Sequence, residues 1–181
     1  FAHADNLHDI ANGVRTLLSP DGIFVFEVSY LSDVVKNTLF DTIYHEHLSY
    51  HSVQPLKNFF SLNEMELINV EHINTHGGSL RGTVQLLNGP HKTRSSVDNF
   101  IQSEQQMGLD TPEIFMKFER AIDLVRQDLT DTIRDIKNEG CSIAAYGAPA
   151  KATTLMYHFG INNELIEFIV DDNPLKQGLF S

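Results

Sequence analysis

The segment Tyr146-Gly147-Ala148-Pro149-Ala150-Lys151 indicates the fold class, because it joins an apolar strand pattern to an apolar helix pattern. The strand pattern covers residues 141–145 and the helix pattern covers residues 152–159. A second apolar run, residues 165–170, follows and ends on Asp171-Asp172-Asn173-Pro174. A strand, a loop, a helix and a second strand in this order are the core of a Rossmann-like α/β unit.

The upstream residues predict a second α/β region. A helix is expected over residues 6–18, where apolar positions recur at helical spacing. Residues 23–28 form a near-continuous apolar run, which is typical of a strand buried on both faces of a parallel sheet. A helix over residues 54–63 precedes two strands, 66–73 and 80–87, whose turn-rich connection suits a hairpin.

The best break in the pattern is Asn88-Gly89-Pro90, after which long helices follow. One of these helices is expected to begin at Thr111-Pro112-Glu113 and to end at Asn138-Glu139-Gly140. Its apolar side chains recur at steps of three and four, which predicts one buried stripe. We therefore expect two domains, residues 1–90 and residues 91–181.

Composition limits the classes of function. The formal net charge of -11 opposes general binding to nucleic acid, and no apolar run approaches the roughly 20 residues of a membrane span. The single cysteine, Cys141, excludes an internal disulfide and a multi-cysteine zinc site. We expect a cytoplasmic protein that binds neither nucleic acid nor membranes. The first residue, Phe1, and the end after a strand pattern lead us to expect a fragment.

Proton-handling side chains are densest in Tyr44-His45-Glu46-His47-Leu48-Ser49-Tyr50-His51, which holds three imidazoles, one carboxylate and two phenols. Histidine titrates near neutrality, and a neighbouring glutamate can orient it or raise its basicity, as a general base requires. Two alternatives stay open, a solvated polar loop and a metal site formed by His45, His47 and His51. The spacing of these histidines matches no specific zinc signature.

Two glycine-containing segments are candidates for ligand binding. In His76-Gly77-Gly78-Ser79-Leu80-Arg81 the backbone can approach a ligand or simply turn, and the arginine can bind phosphate or form a surface salt bridge. The loop from Gly147 to Lys151 can form an anion site at a helix N-terminus, although Pro149 removes one donor. Asp171 stands where a Rossmann fold places an acidic residue on a ribose, or it belongs to a turn.

Together these segments resemble the S-adenosylmethionine-dependent methyltransferases that methylate a carbon of nucleotide-linked keto-deoxysugars. The resemblance implies an N-terminal zinc-binding lobe, a class I methyltransferase domain with a Rossmann-like fold and a smaller Rossmann-like domain that binds the nucleotide-sugar. Residues 1–90 would end the second part, and residues 91–181 would form a truncated third part. The zinc lobe and the S-adenosylmethionine loop would lie upstream of Phe1, so we expect the chain alone to be inactive. The segments that match are Phe1-Ala2-His3, residues 18–28, Tyr44 to His47, residues 76–81, Tyr146 to Lys151 and residues 171–178.

The resemblance also implies roles for single residues. His47 would remove the proton beside the sugar ketone, with Glu46 and Tyr44 in support and His3 as a further active-site histidine. Tyr44 or His3 would stabilise the enolate oxygen, and the enolate carbon would then take the methyl group without a metal. The residues expected to bind substrate are His76, Ser79, Arg81, Tyr146, Gly147, Lys151 and Asp171.

Three other functions compete with this one. An NAD(P)-binding oxidoreductase domain would use Gly147 and Asp171, but the Gly-x-Gly-x-x-Gly motif is missing. A non-catalytic interaction module would use the long helix from Pro112 to Lys137, whose apolar stripe is more simply core. A metal-dependent hydrolase would need the histidine cluster as its ligands.

Overall fold

A computed structural model describes residues 3–179, and its elements follow the apolar patterns of the sequence. Asn6 caps the first helix, because its side chain accepts hydrogen bonds from the amides of His8 and Asp9. The helices are α1 (Leu7–Leu17), α2 (Leu31–Lys36), α3 (Val53–Leu62), α4 (Ser95–Met107), α5 (Pro112–Asn138) and α6 (Ala150–Phe159). The strands are β1 (Ile23–Ser29), β2 (Met65–Ile73), β3 (Ser79–Leu86), β4 (Ala144–Tyr146) and β5 (Phe168–Val170).

The chain divides into two compact units. Residues up to Leu39 together with Glu46–Met116 form the first unit, and Phe40–His45 together with the residues from Lys117 onward form the second. The division therefore falls within α5 rather than at the predicted residue 90. The reason is that α4 packs into the core of the first unit. The assignment of residues 1–90 and 91–181 to two functional domains stays a prediction.

The sheet of the first unit is antiparallel, with strand order β1-β3-β2. The prediction that residues 23–28 form a parallel strand buried on both faces is therefore wrong for the described residues. Phe26 and Val28 are buried, whereas Ile23 and Val25 are about half exposed, at 48% and 50%. An apolar run indicates a strand but not the direction of its partner. Because β1 and β2 are both antiparallel to β3, they run parallel to each other. The presence of both helices and strands confirms the predicted α/β class.

The core of the first unit lies where α3 and α4 pack on this sheet. Phe60 of α3, Val84 of β3 and Val97 of α4 are all 0% exposed. Burying one such side chain contributes about 1.5–3 kcal/mol relative to leaving it exposed. The predicted hairpin of β2 and β3 is also confirmed, and its strands carry much of this core.

The second unit contains the predicted strand-loop-helix-strand arrangement. β4 and β5 are parallel, and α6 lies between them in sequence. Both strands are shorter than predicted. β5 begins late because the amides of Leu165 and Ile166 donate to the carbonyl of Asn162 in a turn. A separate core of Phe40, Ile133, Phe159 and Ile161 supports this unit.

Helix α5 is amphipathic, as its spacing predicts, but its stripe is only partly covered. Ile133 is buried, whereas Phe115 and Val125 are 41% and 45% exposed. Its 27 residues also carry many charges. Within residues 3–179, no helix combines the length and the apolar character needed to cross a membrane.

Alanine at position 82 should destabilise the first unit. Gly82 lies opposite Phe26 across the β1–β3 pairing, and a Cβ atom there would overlap the phenyl ring. Because the ring is buried, we expect Gly82→Ala to lower the free energy of unfolding by about 1–3 kcal/mol in urea titrations. Gly13→Ala is the control, since a Cβ atom there meets no atom within 4 Å. Equal unfolding free energies for Gly82→Ala and the unsubstituted protein would contradict this packing.

Candidate active site

The histidine cluster lies in an irregular segment between α2 and α3. The division between the two units falls inside it, because Tyr44 and His45 belong to the second unit and Glu46 and His47 to the first. Tyr44 is half-buried, and its ring contacts that of His45 edge to face, with 5.8 Å between centroids. Glu46 is exposed and His47 is half-buried.

Two of the predicted catalytic residues lie together in the first unit. The rings of His3 and His47 meet edge to face, with 5.1 Å between their centroids and 69° between their planes. These residues are far apart in sequence, and only the resemblance had placed them in one site. His3 is exposed, so this pair of imidazoles is accessible from solvent.

Tyr50 is a third member of this group that the sequence analysis did not assign to the site. Its ring lies edge to face with that of His47, with 6.5 Å between centroids. The side chain is half-buried. The sequence signal that could have identified Tyr50 is a phenol three positions after the candidate base His47.

His51 belongs to the core rather than to the accessible group. It is 6% exposed, and burial lowers the pKa of its imidazole to about 4. Its carbonyl accepts a hydrogen bond from the amide of Leu31 at 2.9 Å, and it forms a parallel bridge with Tyr30. Within residues 3–179, no group of three histidine, cysteine, aspartate or glutamate side chains is arranged to hold a metal ion.

Stability should fall at acid pH because of His51. Above pH 6.5 its imidazole is neutral in both the folded and the unfolded chain; between pH 6.5 and about 4 only the unfolded chain takes up the proton. This difference should remove about 3 kcal/mol of the unfolding free energy by pH 4. Urea titrations at several pH values should give a shallower pH dependence for His51→Gln.

The exposed His45 provides the matched control for this measurement. His45→Gln should keep the pH dependence of the unsubstituted protein, because its imidazole lies at the surface. An identical slope for His51→Gln and the unsubstituted protein between pH 4 and 6.5 would refute the burial argument.

The paired glycines between β2 and β3 make room for the protein's own side chains. Gly77 and Gly78 have φ values of 88° and 128°, and Cβ atoms there would overlap Leu39 and Asp33 respectively. The amide of Gly78 donates to the carbonyl of Thr75 at 2.8 Å, which closes a turn. Of the two interpretations left open, the turn explains this segment.

The neighbouring polar residues also have internal partners. Ser79 is buried, and its hydroxyl lies 3.1 Å from that of Thr75. Arg81 lies opposite Glu27 in the β1–β3 register and forms an ion pair with it at 3.0 Å. Hydrogen bonds from Thr75 and then Arg81 lower the pKa of Glu27. His76 is exposed. Roles of His76, Ser79 and Arg81 in substrate binding stay predictions.

In the second unit, Asp171 fixes the loop that follows β4. Its carboxylate accepts hydrogen bonds from the amides of Ala148 at 2.7 Å and Asn173 at 2.8 Å, and these bonds lower its pKa. The amide of Gly147 donates to the carbonyl of Val170 at 2.7 Å. The amides of Gly147, Ala148 and Asn173 are therefore all bonded within the unit. A role of Gly147 and Asp171 in ligand binding stays a prediction.

Lys151 and Tyr146 also contact acidic side chains of their own unit. Lys151 forms an ion pair with Asp41 at 3.3 Å, and the Tyr146 hydroxyl donates to Asp172. That hydrogen bond raises the pKa of Tyr146. Asp41 was missed by the sequence analysis, and no local pattern connects it to Lys151. The backbone carbonyl of Ile43, two residues after Asp41, accepts a hydrogen bond from the Thr154 hydroxyl of α6. Helix α6 therefore contacts the residue just before Tyr44.

Comparison with known proteins decides the family. A model of the C-methyltransferase C-terminal domain matches residues 74–181, which is more than half of the chain. The chain belongs to this family. The C-methyltransferase NovU of Streptomyces niveus is 34% identical over 178 residues, covering 98% of this chain and 42% of NovU. The chain thus spans less than half the length of this relative.

The two comparisons cover the candidate site differently. The family model begins at residue 74, after the Tyr44–His51 segment. It includes β3, α4 and all described elements that follow α4. The stretch similar to the C-methyltransferase NovU covers nearly the whole chain, so it includes the histidine cluster. The resemblance to C-methyltransferases stated from the sequence is thereby confirmed.

Proposed function

We propose that the chain is part of an S-adenosylmethionine-dependent enzyme that methylates a carbon beside the ketone of a nucleotide-linked keto-deoxysugar. The observation that carries this proposal is the contact between His3 and His47 in a chain of the C-methyltransferase family. Two imidazoles close together and accessible from solvent suit proton abstraction. The proposal includes the cytoplasmic setting and the absence of nucleic-acid and membrane partners expected from composition.

The residues of the first unit would perform the proton transfer. His47 takes a proton from the carbon beside the ketone, and the electrons of that C–H bond form an enolate. Glu46 adds a carboxylate next to the base, and an imidazole N–H of His3 can donate to the enolate oxygen where negative charge develops. Tyr44, three positions before His47, is proposed as a further donor.

The glycine-containing segments of this chain do not fit a cradle for the methyl donor. The space beside Gly77 and Gly78 is occupied by Leu39 and Asp33, and the amide of Gly147 is bonded to Val170. A donor-binding loop and a zinc-binding lobe are part of the proposal only as features of the longer enzyme that the resemblance implies. When bound, S-adenosylmethionine supplies an electrophilic methyl group on sulfur, which the enolate carbon can accept.

Some of the predicted substrate-binding side chains are exposed, and others support the backbone. In the second unit, Lys151 would contact the nucleotide diphosphate only after leaving its carboxylate partner Asp41. In the first unit, Arg81 would likewise have to leave Glu27 before it could contact the substrate. Such an exchange is feasible at the surface, where an ion pair is worth about 0–1 kcal/mol. The exposed His76 and Tyr146 would add contacts, whereas Ser79, Gly147 and Asp171 would shape the loops.

Replacing the proposed base tests the function. In the full-length gene product, His47→Asn should reduce methyl transfer by at least about 100-fold, because general bases typically contribute 10²- to 10⁴-fold. Binding of S-adenosylmethionine, measured by calorimetry, should change by less than about twofold, since His47 acts on the sugar.

His45→Asn is the matched control, because His45 lies in the same segment and has no assigned role. Its turnover should stay within about threefold of the unsubstituted enzyme. Near-normal turnover in His47→Asn would show that the base is misassigned.

The role of Lys151 can be separated from that of its partner. If Lys151 binds the diphosphate, Lys151→Ala should raise KM for the nucleotide-sugar about tenfold, while Asp41→Asn should leave KM unchanged or lower it. Steady-state kinetics with varied nucleotide-sugar provide the measurement. Equal increases in KM for the two variants would instead mean that the lysine acts only through its ion pair with Asp41.

A further inference from the structure

A buried carboxylate connects α4 to the start of α3. Glu104 is 4% exposed, and its two carboxylate oxygens accept hydrogen bonds from the amides of Val53 at 2.6 Å and Gln54 at 3.2 Å. These amides belong to the first turn of α3, whose donors have no partner within the helix. The negative charge also interacts favourably with the positive end of the helix dipole.

This arrangement replaces an ordinary local cap. Ser52 stands at the N-cap position of α3, where serine is favoured, yet its side chain makes no capping hydrogen bond. A local cap would satisfy the helix without fixing where it begins relative to other elements. Glu104 instead ties the first residues of α3 to a different helix of the same unit.

The same carboxylate also holds the residue that follows β1. Tyr30 is 4% exposed, and burial together with the negative charge of the Glu104 carboxylate raises the pKa of its phenol. Tyr30 bridges to His51, and the amide of the next residue, Leu31, donates to the His51 carbonyl. Glu104 therefore binds Val53 and Gln54, the second and third residues after His51, and interacts with Tyr30, which bridges to His51. His51 itself lies four positions after His47.

We propose that Glu104 is a positioning residue that fixes the segment following His47 and thereby sets the orientation of that imidazole. This inference rests on the proposed function in one respect, that His47 is the base. Hydrogen bonds to a charged acceptor are stronger than neutral ones and are costly to lose when buried. A small displacement of a catalytic group can reduce turnover about 100-fold.

The decisive variant is Glu104→Gln in the full-length gene product. Glutamine preserves the size of the side chain but has one acceptor oxygen instead of two and carries no charge. We expect kcat to fall about 10- to 100-fold at a temperature well below unfolding, with little change in binding of S-adenosylmethionine. In spectra of histidine-labelled protein, the imidazole signals of His47 should shift or broaden, and those of the distant His91 should not.

Asp98→Asn is the matched control. Asp98 lies on the same helix and pairs with Lys57 of α3 at 3.2 Å, so it also joins α4 to α3, but at the surface. This variant makes the same carboxylate-to-amide change, and it should leave kcat within about twofold and the His47 signals unmoved.

Tyr30→Phe keeps the inference testable if Glu104→Gln does not fold. It removes only the hydroxyl and retains the ring, which packs against Phe100 at 5.9 Å between centroids. It should shift the His47 signals in the same direction by a smaller amount.

Two failures can be distinguished. Unmoved His47 signals in Glu104→Gln, or in Tyr30→Phe if the first variant does not fold, would overturn the positioning role whatever the turnover. Normal turnover in His47→Asn would instead overturn the proposed function, and the signal shift would still report whether Glu104 orients the ring.

Discussion

The backbone pairing between β1 and β3 is the constraint on which the candidate site depends. The ladder reaches Ser29 opposite Ser79, and the amide of Tyr30 then donates to the carbonyl of Gly78 at 3.2 Å. The next amide, that of Leu31, donates to the carbonyl of His51 at 2.9 Å. The end of the sheet is thus bonded directly to the segment that carries the histidines. A site on an irregular segment gains precision when rigid elements hold it in this way.

Close packing around the turn between β2 and β3 supports this arrangement. Asp33 fits against Gly78 and lies 2.7 Å from the Nε2 atom of His72, so α2 is held against the hairpin. A larger side chain at Gly78 would overlap Asp33 of α2, and one at Gly77 would overlap Leu39, three residues after α2. From the sequence, these two glycines suggested a ligand site. In the structure they allow α2 and the residues after it to pack closely against the hairpin.

Local patterns predicted α1 and α3 to within one residue, because apolar spacing and turn residues act over a few positions. The direction of β1 could not be predicted, since the same apolar run suits parallel and antiparallel neighbours. The partners of Lys151 and Arg81 were also out of reach, because Asp41 and Glu27 are distant in sequence and ordinary in their surroundings. The site residues His3 and His47 came from a resemblance, and their contact depends on tertiary structure that no local pattern encodes.

If His47 removes the proton beside the ketone, it must also catalyse hydrogen exchange at that carbon of the substrate. The full-length protein would be incubated in deuterated water with the nucleotide-linked keto-deoxysugar and the demethylated form of the methyl donor, so that an enolate can form but cannot be methylated. Mass spectrometry would follow deuterium at the carbon beside the ketone. We expect steady incorporation with the unsubstituted protein and a rate near the uncatalysed one with His47→Asn. Equal incorporation by the two proteins would contradict this role of His47.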